Sequence, residues 1–171
     1  MLIFVAALVN VAAAPCPAER AIYRLRGVPG VTAGFTRQRY QINFASDLFF
    51  WVRTADGRRW WFSMNSPNGY GGPFLSPDVD ATKITKADRE ADQSSSPGSS
   101  IEVDFDMFDR NYGVITTPPQ EGGRAPSHLY ARGLGSLMWY NPVGAANGDK
   151  RAKAGSIPIA MYDLKSCLLK R

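Results

Sequence analysis

Two aromatic runs separated by three residues constrain this chain more than any other feature. Residues 48–54 read LFFWVRT, residues 55–57 read ADG, and residues 58–64 read RRWWFSM. Aromatic and β-branched side chains favour pleated backbone, and an Asp-Gly pair between two such runs is a strong hairpin signal. Both Asp56 and Gly57 are expected to take positive φ, the geometry whose twist matches that of the flanking strands. Side chains alternate across a strand, so the neighbours Trp60 and Trp61 must point to opposite faces. One of them is therefore expected to lie exposed.

The same period of two recurs elsewhere. Residues 22–26 place Tyr23 and Leu25 on one face, and residues 31–44 read as one long or bent strand in which Gly34 marks a bulge or a close neighbour. Residues 101–107 alternate strictly, with Ile101, Val103, Phe105 and Met107 inward and Glu102, Asp104 and Asp106 outward. Further strands are expected at 74–75, 112–116, 128–132, 136–140 and 157–162. No run is long enough for a helical crossover, so the chain reads as all-β: a single antiparallel β-sandwich or small β-barrel with long loops and little helix.

Outside this pattern lie two unusual segments. Residues 2–14 are uncharged, apolar and end in small residues, the profile of a signal peptide, with 1–13 removed and 14–171 forming one β-rich domain. The run is too short for a membrane-spanning helix, which needs roughly 20 residues, so no transmembrane anchor is expected in the mature chain. No Lys or Arg precedes it, unlike the usual leader. Residues 78–100 are charged and small, ending in SSSPGSS, and read as an exposed flexible excursion with one helical turn near 86–91.

The chain has 171 residues, two cysteines and a formal net charge of +5. Cys16 and Cys167 stand near opposite ends, and an even count in an exported chain favours a disulfide between them. The charge is unevenly spread. Residues 78–109 hold nine of the fifteen acids and three of the twenty bases. The basic remainder includes Lys150, Arg151 and Lys153, with Lys170 and Arg171, a candidate contact for anions. Secreted or periplasmic placement follows from the leader and the cysteines.

Catalytic signatures are sparse. The chain lacks G-x-S-x-G, H-E-x-x-H and Cys-x-x-Cys, and it has one histidine, His128, which excludes a multi-histidine metal site within the chain. Nothing in it calls for a cofactor or a metal, and no motif for specific nucleic-acid recognition is present. Asp104 and Asp106, alternate residues of one strand face, are the candidate catalytic carboxylates, since their Cα spacing of roughly 6.6–6.8 Å suits acid/base work. A solvated strand face accounts for the same residues.

The candidate ligand-binding set is Trp61, Asn65, Asn68 and Tyr70. Stacking faces beside amide groups in a Gly- and Asn-rich loop suit a sugar-like ligand. The expected function is a noncatalytic exported domain binding a glycan or anionic polymer. The competing expectations are a secreted hydrolase and a structural accessory protein of the cell envelope.

Overall fold

The computed structural model describes residues 15–40, 45–67, 71–88 and 101–169. Nine strands follow in chain order: β1 (Ala21–Leu25), β2 (Thr32–Arg37), β3 (Leu48–Arg53), β4 (Arg59–Asn65), β5 (Phe74–Asp78), β6 (Val103–Phe108), β7 (Val114–Ile115), β8 (His128–Ala131) and β9 (Tyr162–Cys167). Every pairing is antiparallel. The order β5-β4-β3-β2-β1-β9-β8-β6 closes on itself where β6 meets β5 at Phe74 opposite Asp104 and Leu75 opposite Val103. The fold is thus a closed eight-stranded barrel, with β7 as an extra strand beside the end of β6. Of the two architectures compatible with the sequence, the barrel is the one formed.

Eight strands enclose an interior just wide enough to be filled by side chains. Here aromatic rings fill it. Phe50 lies at the centre, its ring centroid 4.9 Å from Phe105, 5.7 Å from Phe35, 6.2 Å from Tyr162 and 6.4 Å from Phe62. Tyr23 meets Phe35 edge-on at 5.7 Å and donates its hydroxyl hydrogen to the carbonyl of Pro126 at 2.8 Å. The alternation read at β6 holds, with Val103, Phe105 and Met107 buried and Asp104 exposed.

The β3–β4 hairpin forms where the aromatic runs place it, but its turn differs from expectation. Only Gly57 takes positive φ, at 85°. Thr54 N–H donates to the Arg58 carbonyl and Gly57 N–H to that of Thr54, both at 2.9 Å, enclosing the three-residue loop 55–57. A left-handed glycine closing such a loop restores the strand twist, so Asp56 need not leave the ordinary region. Asp56 instead ties the turn: Arg58, then Thr54, hydrogen-bonds its carboxylate and holds its pKa down at about 2.

Two expected strands are corrected. Residues 136–140 are not extended; they belong to helix α1 (Leu134–Tyr140), followed by α2 (Pro142–Ala145). Leu134 and Met138, four apart, fall on one helical face and are buried in the barrel core with Ala145 of α2. The apolar run 137–140 is too short for periodicity to separate helix from strand. The last strand begins at Tyr162 rather than at 157, because Pro158 lacks a backbone donor and Ile159 is exposed, while Tyr162 pairs with Leu25.

The connections of an up-and-down barrel alternate between its ends. Helices α1 and α2, in the β8–β9 connection, cap the end that also carries the β3–β4 turn. Arg58 of that turn donates to the carbonyls of Lys153 and Ala154. The Cys16–Cys167 disulfide is formed, with Cα atoms 5.7 Å apart, and fastens the segment before β1 to the end of β9. The leader reading concerns residues outside those described.

Candidate functional site

The outer surface of the hairpin carries a second apolar cluster, separate from the barrel core: Phe49, Trp51, Trp61, Ala81 and Ile84. Trp51 and Trp61 are directly opposed across β3 and β4. The Arg59 guanidinium lies 4.7 Å from the Trp51 ring and 5.4 Å from Trp61, a cation–π ladder on the outside of the barrel. Gly34 on β2 makes room for it, since a Cβ there would stand 2.6 Å from the Trp51 indole. The close neighbour implied by Gly34 is therefore an indole.

Trp60 and Trp61 do point to opposite faces, but neither is exposed: Trp60 is 4% and Trp61 6% accessible. Residues 79–88 lie over the outer cluster, inserting Ala81 (1%) and Ile84 (6%). This part of the excursion is a packed strap, and it closes the stacking face that an exposed Trp61 would offer. Its turns are shaped locally, with Asp80 accepting from Thr82 N–H at 3.0 Å and Asp88 accepting from Thr85 N–H at 2.8 Å.

Asn65 shares the outer face of β4 with Trp61 and is half-buried, its amide donating to Ser76 Oγ at 3.1 Å. Phe74 opposes it on β5. Asn68 and Tyr70 lie outside the described residues. On β6, Asp104 and Asp106 do share the outer face, but Arg132 spans them, at 3.6 Å from Asp104 and 3.2 Å from Asp106. The two carboxylates share an exposed arginine counter-ion. Among the described residues no cluster of three or more acids, histidines or cysteines forms a metal-binding set.

Two constellations were not legible in the sequence. Asp163 of β9 accepts from Arg26 Nε at 2.8 Å and Nη2 at 2.7 Å, and from His128 Nδ1 at 2.7 Å. Arg26 holds the Asp163 carboxyl below the usual carboxylate range, with help from His128. Tyr112, at φ 63°, stacks flat on His128 with centroids 4.5 Å apart and planes 6° from parallel. The partners are 35 residues or more from His128 or Arg26 in sequence except for Tyr112, so no spacing signalled them.

The second constellation is the outer face of the capping helices. Trp139 is 54% and Tyr140 83% exposed, beside Val143 at 36%. In the sequence only the i, i+4 spacing of Leu134 and Met138 and Pro142 hint at helix, and the apolar run 137–140 masks that hint.

Comparison of the chain with protein-family models, with curated proteins and with solved structures finds no match. What the fold defines is a class: an eight-stranded antiparallel barrel with a ring-filled interior and apolar groups placed on its outside.

Proposed function

We propose that this is an exported, noncatalytic β-barrel that binds a polar, glycan-like polymer on its outer surface. The observation that supports the reading is Asn65, half-buried on the outer face of β4 and hydrogen-bonded to Ser76 at the start of a Gly- and Asn-rich sequence. The Trp51–Arg59–Trp61 ladder, covered by residues 79–88, fixes the strand that holds it. An interior occupied by packed rings leaves a polymer only the exterior. In this reading Trp61 does not stack on the ligand; it anchors the strand that ends in Asn65, and the sequence that follows supplies in Asn68 and Tyr70 the amide and ring chemistry a sugar would meet. Export is supported by the leader-like residues 1–13 and the disulfide, and no helix of the described residues is long and apolar enough to cross a membrane.

The test is a screen of neutral and acidic glycans with the oxidised protein, repeated with Asn65→Ala, Asn68→Ala and Tyr70→Ala. Affinity should fall several-fold in Tyr70→Ala, as expected for one lost aromatic contact of about 0.5–1.5 kcal/mol. A wild-type protein that binds no glycan, or variants that all bind as well as it does, would remove the proposal.

A further inference from the structure

We infer that the capped end of the barrel docks peripherally on an anionic lipid bilayer, through Trp139, Tyr140 and Val143 inserted at headgroup level and Lys150 and Lys153 placed around them. This surface is distinct from the loop after β4, which leaves the opposite end of the barrel.

Three observations carry it. The first is the exposure of an adjacent Trp and Tyr on a seven-residue helix whose other face is fixed in the core by Leu134 and Met138. The indole of Trp139 differs from its three counterparts: Trp51, Trp60 and Trp61 are 8%, 4% and 6% accessible, whereas Trp139 is 54%. Tryptophan and tyrosine favour the membrane interface because each joins an apolar ring to a polar tip. Tyr140, at 83%, and Val143 complete an apolar patch that a purely polar polymer would leave in water.

The second is that the basic turn is built against this patch. Gly148 N–H donates to the Val143 carbonyl at 2.8 Å and Gly155 N–H to that of Met138 at 3.0 Å. The intervening residues are thereby tied at both ends to the capping helices. Within the turn, Asp149 accepts from Arg151 N–H at 3.0 Å and Ala152 N–H donates to the Asp149 carbonyl at 2.9 Å. Arg58 clamps the far side through the Lys153 and Ala154 carbonyls. The backbone that carries the cations is thus held in a defined place.

The third is charge. Asp149 pairs with Arg151 at 3.1 Å, whereas Lys150 and Lys153, both exposed, meet no acid among the described residues. Two cations beside an aromatic patch match a surface of phosphate headgroups, where cations and apolar insertion add. Docked by this end, the barrel would hold the loop after β4 away from the bilayer.

Trp139, the one accessible indole, is a reporter for the test. The oxidised full chain is mixed with vesicles of phosphatidylcholine alone or with added phosphatidylglycerol, and followed by co-sedimentation and by quenching of tryptophan fluorescence with iodide. Vesicles with phosphatidylglycerol should sediment the protein, shift its emission to the blue and protect it from iodide, and salt should weaken the effect. Lys150→Gln with Lys153→Gln should lower partitioning about tenfold or more. Trp139→Ala with Tyr140→Ala should lower it by a similar factor, with the melting temperature unchanged because both side chains are exposed. No partitioning at low salt, equal partitioning of both double variants and the wild type, or capture by a soluble polyanion such as polygalacturonate with none by vesicles would overturn the inference.

Discussion

Trp60 and Trp61 are neighbours in the chain, nearly equal in burial, and buried by different means. Trp60 points into a barrel closed by eight strands, where its surroundings come from residues throughout the chain. Trp61 points outward and is covered by residues 79–88, which bring only Ala81 and Ile84 to the task. The interior is a property of ring closure, so its contacts are shared and mutually dependent. The exterior cluster is built chiefly from one hairpin and one strap, with Ile22 of β1 packed against it, so it is expected to open while the barrel stays shut.

That contrast is sharpest at Phe50 and Trp61. Phe50→Ala removes the ring that Phe35, Phe62, Phe105 and Tyr162 all face, and should cost about 4 kcal/mol in urea unfolding. Trp61→Ala should cost about 2 kcal/mol, since one thin strap relaxes over the gap, and it should make residues 79–88 a site of protease nicking. Equal losses, or an uncleaved strap, would break the distinction.

Two interior tyrosines sharpen it further. Tyr23 has its hydroxyl bonded to Pro126, whereas the Tyr162 hydroxyl has no partner among the described residues; burial raises both phenol pKa values. Tyr23→Phe should cost about 1 kcal/mol, while Tyr162→Phe should be neutral or stabilise slightly, because it removes a buried polar group that gains nothing. The order of the two melting temperatures is the measurement.

The smallest effect belongs to the surface. The Asp163 carboxyl titrates lower in the folded chain than in the unfolded one, so its contribution is present above the ordinary carboxylate range and is lost as pH falls through the folded value. Asp163→Asn should therefore destabilise modestly at neutral pH, and the difference from wild type should shrink below about pH 4. A difference that grows on acidification would contradict the role given to Arg26 and His128.

Much of the barrel was legible because strand periodicity is local. Tyr23 and Leu25, the alternation of 103–107 and the hairpin around Gly57 all follow from the backbone's period of two, and the cysteine positions implied their bridge. The capping helices were not legible, since 137–140 is one apolar run that suits either period. For the candidate site, the sequence located the aromatic strand and Asn65 but left open what covers Trp61. It likewise placed Asp104 and Asp106 on one face without bringing Arg132 between them.

The sequence by itself determined which residues turn together, which faces are apolar, and that Trp60 and Trp61 must part. Only the tertiary structure decided that the sheet closes at β5 and β6 rather than folding into two layers. It alone laid the strap on Trp51 and Trp61, assembled Arg26, Tyr112, His128 and Asp163, and left Trp139 and Tyr140 in the open. The physical reason is the range of the forces: side-chain alternation is set by neighbouring backbone, whereas burial and ion pairing are set by segments that meet only when the barrel closes.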